Sequence, residues 1–498
     1  MIFAHNLLSL PAGLSNRGHH RLPLLQARPM LIEDLVTKYS IRTANRTVYQ
    51  KSEPVCHGTS VELKNRPSAA FVLDGYTPED VARALIEGGR QKEPFYLFDM
   101  DEAYKRIMHF KKRMPRVQMF YAMKANNDDT FLKLCLSLGL GFDCASPGEI
   151  NKIKKLNSSC RIIYAIPTKT PEQIQFARDS GVKHTTFDCS YELKKIKKFW
   201  PDARLLLRIK VDGKSLYKLG KKFGCDFETE AIGLLEYAAS LGLNVVGAAF
   251  HVGSVCSSTD SYVLGLRRCK ALFDYEAKAG RGMQIVDIGG GFLSETTDRI
   301  DKVADHVNKA LEELFPDPEV QVVAEPGRYL CDSAFTMYCN INNVRHIVND
   351  GKRTNMLYLN DGIYGTLRFP ETWHKVQKFK KSSDTDSDVL EDVILWGPTC
   401  DSVDRVMAEY HIRLPRCSPE DWLVFPSQGA YTFGFSTKFS CLAIPQVRPV
   451  VSSELWKKLR HSEAFSAEDF ILNPDISSPL PSSLPPVLSE NLYYDRYQ

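Results

Sequence analysis

The stretch GFDCASPGEINKIKKLNSSCRIIYAIPTKTPEQIQFARDSG, residues 141–181, decides the fold because it contains one pattern twice. A short apolar run, first Gly141–Ser146 and then Arg161–Pro167, is followed by a charged segment whose apolar residues recur three and four positions apart. Short apolar runs bounded by turn residues are typical of buried strands, and the longer period is typical of amphipathic helices. The stretch therefore predicts two consecutive βα units.

The same alternation of apolar runs and charged segments extends along the chain from about Phe95 onward. Eight candidate strands can be counted, at Phe120–Ala125, Gly141–Ser146, Arg161–Pro167, His184–Cys189, Arg204–Ile209, Val245–Val252, Gln284–Gly289 and Gln321–Gly327. Eight parallel βα units predict a closed (β/α)8 barrel of the TIM type in an α/β protein. An open doubly wound sheet would produce the same local pattern.

After about Cys331 the pattern changes to strands without long helices between them, which predicts a separate antiparallel β domain. The candidate strands there are FTMYCNINNV, NMLYLND, DVILWGP, DWLVFPS and AYTFGF. The predicted organisation is an N-terminal extension at 1–60, a contribution to the β domain at 61–98, the barrel at 99–334, the β domain at 335–450, and a helix with a flexible Pro/Ser-rich tail at 451–498.

Composition narrows the class of protein. A net charge of +4 over 498 residues gives no electrostatic reason to expect nucleic acid as a partner. Thirteen cysteines without a CxxC pair argue against a disulfide framework and a zinc module, so we expect no metal and a reducing compartment. No apolar run approaches the roughly 20 residues that span a bilayer. The segment Met1–Ile32 has arginines and no acidic residue, which leaves organelle targeting as an alternative to the expected cytoplasmic location.

Chemically useful side chains follow three of the predicted strands. Lys124 ends MFYAMK, Gly289–Gly291 end IVDIGGGF, and VVAEPGRYL contains Glu325, Gly327 and Arg328. Each has an ordinary structural explanation as well, because a lysine can extend to water, glycines form tight turns, and a glutamate and an arginine can form a salt bridge. Together they supply an amine nucleophile, phosphate-binding groups and a carboxylate for a protonated ring nitrogen. Pyridoxal phosphate needs this set of groups.

Eight motifs resemble, in order, those of the ornithine decarboxylase family in the alanine-racemase-like fold group. They are FYAMKAN, GFDCASPGEI, AFHVGS, DIGGGF, AEPGRY, YLNDGIYG, WGPTCDSVDR and GAYTFGF, and the similarity runs from roughly Asp74 to Arg448. The resemblance implies pyridoxal 5'-phosphate as cofactor and decarboxylation of L-ornithine to putrescine and carbon dioxide. It also implies a homodimer whose active sites are shared across the interface, and antizyme as a candidate partner.

The resemblance assigns roles around the cofactor. Lys124 would be the Schiff-base lysine, with Asp143 close to it. His251 would stack on the pyridine ring, and Glu325 would pair with the ring nitrogen. Arg208 would support these ring-side residues. The residues that would hold the phosphate or approach the cofactor closely are Ser254, Gly289, Gly290, Gly291, Gly327, Arg328 and Tyr431.

Four residues of the β domain are implied on the substrate side. Asp361 and Asp401 would bind the distal ammonium of the substrate, since carboxylates match the one extra positive charge of ornithine or lysine. Cys400 would donate a proton, and in this family Cys400 and Asp401 reach the active site from the neighbouring subunit. Phe439 would shape the shared interface. Taken alone, Asp361 could simply stabilise a turn, and Cys400 could be a small buried apolar residue.

The chain departs from the family pattern at three places. Val255 replaces a glycine in HVGSVC, TLRFPETWH follows DGIYG, and YAIPTK replaces YANPCK. These changes leave substrate identity open between ornithine, lysine and arginine, whereas the second carboxylate of diaminopimelate would meet like charge. A non-enzymatic regulator that resembles antizyme inhibitors is the alternative from another class. The presence of the cofactor and proton-donor residues favours the enzyme.

Overall fold

A closed barrel of eight parallel strands forms the first part of the computed structural model, as the βα count predicts. Its strands are β3 (Val117–Ala122), β4 (Gly141–Cys144), β5 (Ile162–Tyr164), β6 (His184–Phe187), β7 (Arg204–Ile209), β9 (Asn244–Phe250), β11 (Ile285–Asp287) and β12 (Gln321–Ala324). Strand β12 pairs in parallel with β3, so the sheet closes and the doubly wound alternative is excluded. The structure describes residues 68–294, 297–349, 351–368, 376–382, 384 and 389–472, so the predicted 1–60 extension and Pro/Ser-rich tail lie outside it.

Amphipathic helices alternate with the barrel strands. The described helices are α1 (Pro78–Glu87), α2 (Met100–Arg113), α3 (Asp129–Ser137), α4 (Pro147–Leu156), α5 (Pro171–Asp179), α6 (Ser190–Phe199), α7 (Ala231–Ser240), α8 (Asp260–Lys278), α9 (Thr297–Leu314), α10 (Arg328–Cys331) and α11 (Ser453–Leu459). The sequence fixes where they begin: Ser146 caps α4, and Thr170 forms a capping box with Gln173 at α5. None of the described helices is long and apolar enough to cross a membrane.

The interior of the barrel is apolar at one end and polar at the other. An inward-facing cluster fills the lower layers and consists of Phe120, Ile163, Ala165, Leu206, Val246, Ala249, Ile285 and Val323. Beyond these residues, at the carboxyl ends of the strands, the inward positions become charged or polar. In a parallel barrel this end carries the active site, because the βα loops converge there.

A second sheet follows the barrel and includes two strands that precede it. Its described strands are β1 (Ala70–Leu73), β2 (Phe95–Asp99), β13 (Phe335–Asn349), β14 (Lys352–Leu359), β15 (Gln377–Lys378), β16 (Leu390–Trp396), β17 (Arg405–Val406), β18 (Ile412–Pro415), β19 (Trp422–Phe425), β20 (Gln446–Ser452) and β21 (Phe470–Ile471). Most pairings are antiparallel, as predicted. Four are parallel, namely β1 with β20, β1 with β21, β2 with β20, and β14 with β16. Strands that come from distant parts of the chain need no hairpin, which permits the parallel direction.

One local prediction was wrong, and one local element was not predicted. The segment AYTFGF is not a strand, because Tyr431 has a positive φ of 60° and Phe433–Phe435 forms a 3-10 turn. A two-stranded antiparallel ribbon of β8 (Ser215–Tyr217) and β10 (Ser254–Cys256) was not predicted. Both features lie beside the carboxyl end of the barrel, where the chain must leave the regular strand geometry.

Candidate active site

A cavity of about 310 Å³ lies at the carboxyl end of the barrel. Its lining residues are Ala122, Lys124, Tyr217, Leu219, His251, Ser254, Gly291, Phe292, Glu325, Gly327, Arg328, Tyr431 and Phe435. Eight of the predicted cofactor residues are therefore brought together around one space: Lys124, His251, Ser254, Gly291, Glu325, Gly327, Arg328 and Tyr431. Its volume is in the range of sites that hold small molecules.

Lys124 follows the end of β3 and directs its amine into the cavity. Its Nζ atom donates a hydrogen bond to Asp143, which is buried at the end of β4. Burial alone would lower the pKa of Lys124, but the nearby carboxylates of Asp143 and Glu325 outweigh it and raise that pKa. The lysine is thus held as an ammonium ion in the cofactor-free protein, at the position predicted for the nucleophile.

Glu325 is buried at the end of β12, next to the lysine. Burial, followed by repulsion from Asp287 and Asp143, raises the pKa of Glu325 well above its ordinary value. An opposite charge placed against this carboxyl group would restore its ionised form. The protonated nitrogen of a pyridine ring is such a charge.

His251 follows β9 and also lines the cavity. Its Nδ1 atom accepts a hydrogen bond of 3.0 Å from the backbone N–H of Gly253. Burial, together with the positive charges of Arg208 and Lys124, keeps the pKa of His251 well below its usual range. The imidazole is therefore neutral, with its proton on Nε2, and its uncharged ring suits stacking on an aromatic cofactor.

The opposite wall of the cavity offers groups for an anion. Gly291 has a φ of 104°, and a Cβ atom there would lie 2.5 Å from a backbone oxygen. The Arg328 guanidinium stacks on the Tyr431 ring at 5.0 Å, and its Nε atom is buried without a hydrogen-bond partner among the described residues. Ser254 completes this side from β10. An unsatisfied guanidinium N–H beside a glycine turn fits a phosphate group.

The residues present therefore fit pyridoxal phosphate on three counts. Lys124 offers the amine that would hold the cofactor covalently, Glu325 offers a partner for the ring nitrogen, and Arg328 with Ser254 offers an anion site. Arg208, Gly289 and Gly290 are not among the lining residues, and their roles toward the cofactor stay predictions. A Cβ atom at Gly290 would lie 3.0 Å from Nε2 of His251, so the glycine makes room for the ring.

The substrate-side residues lie on the second sheet, outside the lining of this cavity. Cys400 is exposed, and Asp401 accepts a hydrogen bond from the hydroxyl group of Tyr364. The ring of Phe439 packs on the same tyrosine at 4.5 Å. Asp401, Tyr364 and Phe439 thus form one cluster at the surface of the chain.

Asp361, like Asp401, lies outside the lining of the cavity. Its side chain is buried, accepts hydrogen bonds from both the hydroxyl and the backbone N–H of Thr366, and belongs to the turn after β14. Burial raises the pKa of Asp361 to about 6 despite these hydrogen bonds. These hydrogen bonds stabilise the turn, and the role of Asp361 toward the substrate stays a prediction.

Three further acidic residues shape the site and were not predicted from the sequence. Asp287 adjoins Glu325, Asp332 lies 3.9 Å from Arg328, and Asp404 fastens the loop that carries Asp401. Asp287 was detectable, since it precedes the glycine triplet on a strand end. Asp332 follows Arg328 by four residues and Asp404 follows Thr399 by five, but no motif marked either acid, and the bond from Ile363 to Asp404 arises only in the folded chain.

Comparisons with known proteins identify the family. The family models "pyridoxal-dependent decarboxylase, pyridoxal binding domain" and "pyridoxal-dependent decarboxylase, C-terminal sheet domain" match residues 100–332 and 328–429. The chain is 39% identical over 384 residues to the ornithine decarboxylase of Panagrellus redivivus, covering 74% of this chain and 88% of that one. It is 35% identical over 409 residues to antizyme inhibitor 2 of Xenopus laevis, covering 78% and 89%.

A solved structure agrees with this result. The arginine decarboxylase of Paramecium bursaria Chlorella virus, bound to agmatine, superposes with a TM-score of 0.69 and 32% identity, covering 75% of this chain and 100% of that one. The fold and the cofactor predicted from the motifs are therefore confirmed. The chain belongs to the family of pyridoxal-dependent decarboxylases.

Proposed function

We propose that this chain decarboxylates L-ornithine to putrescine and carbon dioxide with pyridoxal phosphate. The observation that carries the proposal is the cavity in which Lys124 and Glu325 face the same space as the anion-binding group of Arg328. Ornithine is favoured among basic amino acids by the 39% identity to a relative named ornithine decarboxylase.

The chemistry divides between the cofactor and the chain. When bound, pyridoxal phosphate supplies an electron sink that stabilises the charge left on the α-carbon as carbon dioxide departs. Lys124 would hold the cofactor through its amine, and Asp143 would orient that amine by its hydrogen bond. Glu325 would favour the protonated ring nitrogen by opposite charge, which makes the electron sink stronger.

Proton return to the α-carbon is assigned to Cys400. Because Cys400 and Asp401 lie outside the cavity of their own chain, we propose that they complete the cavity of a second copy in a homodimer. Exposed apolar side chains support such an interface, since Val403 follows Asp401 by two residues and Phe439 packs on Tyr364, the partner of Asp401. Phe435, Leu442 and Ile444 are exposed as well.

Substrate selection would rest on Asp361 and Asp401, whose carboxylates match the distal ammonium of ornithine or lysine. Each carboxylate also accepts hydrogen bonds within the chain, Asp361 from Thr366 and Asp401 from Tyr364 and Val403. The two substrates differ by a methylene group, which is worth only about 1–3 kcal/mol in an apolar pocket. Tyr217 and Leu219 of the cavity wall would set the length that is accepted.

A regulator without catalytic activity is the second candidate, favoured by the 35% identity to antizyme inhibitor 2. The chain nevertheless has the cofactor residues Lys124, Asp143, Glu325 and Arg328 together with Cys400, and this full set supports the enzyme. The 35% identity to antizyme inhibitor 2 also leads us to propose antizyme as a regulatory partner. The cysteine-rich composition without disulfide spacing supports a cytoplasmic location.

The test is an assay of carbon dioxide release from ornithine, lysine and arginine side by side, with the visible absorption of the purified protein recorded in parallel. We expect activity that is highest with ornithine and an absorption band that disappears in Lys124→Ala. The exposed Lys105→Ala is the matched control and should retain both. A colourless wild-type protein that still binds antizyme would favour the regulator.

A further inference from the structure

The polar end of the barrel interior contains an excess of negative charge. Asp143, Asp287 and Glu325 are buried there with no more than 6% of each residue exposed. Among the described residues, the cations that act on this group are Lys124 and Arg208. Three ionised carboxylates would leave one negative charge unbalanced in a site shielded from water, which is costly.

Two of the three carboxyl groups adjoin each other. Asp287 and Glu325 lie within hydrogen-bonding reach, although each is an acceptor when ionised. Asp287 accepts a hydrogen bond of 2.8 Å from the backbone N–H of Gly289 through Oδ1. Its Oδ2 atom is buried without a donor among the described residues. A hydrogen bond between these carboxyl groups therefore requires a proton.

The strand register fixes the pair in place. Asp287 on β11 lies beside Val323 on β12, and Glu325 follows Val323 by two residues and therefore points to the same side. On its other flank Asp287 lies beside Ala249, which separates it from Arg208 on β7. The small alanine side chain leaves the space between the aspartate and the guanidinium open.

The groups around the pair come from several elements. Asp143 on β4 adds negative charge, Lys124 and Arg208 add positive charge, and the Cys269 thiol faces Asp287 from α8. The neutral ring of His251 adds none. Burial, only partly offset by the hydrogen bonds from Gly289 and Glu325, raises the pKa of Asp287 to about 7.

We propose that Asp287 and Glu325 share one proton in the cofactor-free protein, and that the pair passes this proton to the pyridine nitrogen when the cofactor binds. The proton leaves a carboxyl O–H and joins the nitrogen lone pair, which leaves both carboxylates ionised. The positive charge of the pyridinium then offsets the carboxylate that ionises when the proton leaves the pair. Asp287 is thereby a positioning residue that acts through Glu325. The inference rests on the proposed role of Glu325 toward the cofactor.

The first test uses cofactor-free protein and needs no activity. Difference infrared spectra at neutral pH should show that Asp287→Asn and Glu325→Gln each remove one protonated carboxyl signal per chain. Each substitution removes one of the three carboxyl groups, so the remaining partner can ionise and two carboxylates then face the two cations Lys124 and Arg208. The exposed Asp274→Asn should leave the signal unchanged. A signal that persists in Asp287→Asn would overturn the shared proton.

The second test counts protons during cofactor binding. Calorimetric titration with pyridoxal phosphate in buffers of different ionisation enthalpy gives the net proton uptake per site. Asp287→Asn should take up about one more proton from solvent than the wild-type protein, because its Glu325 is already ionised. Equal uptake in both proteins would refute proton transfer from the pair. A wild-type protein that binds no pyridoxal phosphate would instead refute the proposed function, while the infrared result would still decide the pairing.

Discussion

Replacing Asp404 with asparagine should destabilise the fold and weaken substrate binding without removing the cofactor. The buried carboxylate of Asp404 accepts hydrogen bonds from the backbone N–H of Ile363 at 2.9 Å, from the backbone N–H of Thr399 at 3.1 Å and from the Thr399 hydroxyl at 2.7 Å. These bonds join the turn after β14 to the loop that carries Asp401. An asparagine can keep its oxygen toward Thr399, but its amide group then meets the N–H of Ile363.

The magnitude follows from the bonds that change. One hydrogen bond to a charged group is lost and two become neutral, and bonds to charged groups contribute about 1.5–3 kcal/mol each. We therefore expect Asp404→Asn to lower the free energy of unfolding in urea by about 2–4 kcal/mol. The KM for ornithine should rise because Asp401 shifts with its loop, whereas the visible absorption of the bound cofactor should stay.

The matched control is the exposed Glu409→Gln, which changes one acid on the same side of the sheet. It should unfold like the wild-type protein, within about 0.5 kcal/mol. If Asp404→Asn matched this control in both unfolding and KM, the reasoning that Asp404 fastens the Asp401 loop would be refuted.

Three other predictions concern local chemistry. Val255→Gly should raise the free energy of unfolding by about 1 kcal/mol, because removing the backbone strain of a β-branched residue at φ 58° outweighs the larger entropy of the unfolded glycine chain. In thermal melts, the melting temperature of Val255→Ala should lie between those of the wild-type protein and Val255→Gly. Asp128 caps α3 by accepting a hydrogen bond from the backbone N–H of Phe131, and burial raises the pKa of Asp128 to about 6. Because the folded state favours the protonated acid, the contribution of Asp128 to stability is present below about pH 4 and is lost as pH rises through 6. In urea unfolding, the free energy of unfolding of Asp128→Asn relative to the wild-type protein should therefore rise by about 2 kcal/mol between pH 4 and pH 6. A difference between the two proteins that stays constant with pH would contradict the raised pKa of Asp128 as its cause. Cys400→Ala should leave cofactor absorption intact and cut putrescine formation or divert it to misprotonated products, and an unchanged yield would remove Cys400 from its role.

The barrel could be predicted because its information is local. A βα unit has an apolar run, a helix with a start signal and a turn, and all three can be recognised in sequence. Gly141–Ser146 followed by the helix that Ser146 caps is one such unit. Residues at strand ends then gather on one face by geometry alone. This is why Lys124 and Glu325 could be assigned to one cavity from the sequence.

The second sheet could be predicted only in part, since its pairings join distant segments. Strand β20 pairs in parallel with β2, more than three hundred residues earlier in the chain, and no local pattern encodes that direction. The segment AYTFGF alternates like a strand, but the backbone N–H of Tyr431 bonds to the carbonyl of Ala125 and turns the chain toward the barrel. A tertiary contact thus overrides the local preference.

Both predicted substrate aspartates lie in loops, where hydrogen bonds from nearby residues hold them. Asp361 follows β14 in an NDG turn and accepts hydrogen bonds from the hydroxyl and the backbone N–H of Thr366, five residues later. Asp401 lies on a loop whose acid anchor is a different residue, Asp404, so its carboxylate remains accessible near the surface with the Tyr364 hydroxyl as its partner.

The two halves of the site therefore follow from different physics. The cofactor half is built on rigid strand ends, where register alone places Asp287 beside Val323 and Asp143 beside Ala122. The substrate half is built on loops of the sheet, held by single buried acids such as Asp404. Changes in the loops, such as TLRFPETWH, can alter which basic amino acid is accepted while the charge balance around Lys124 and Glu325 stays the same. Substrate preference should consequently respond to substitutions on the sheet, and cofactor affinity to substitutions in the barrel.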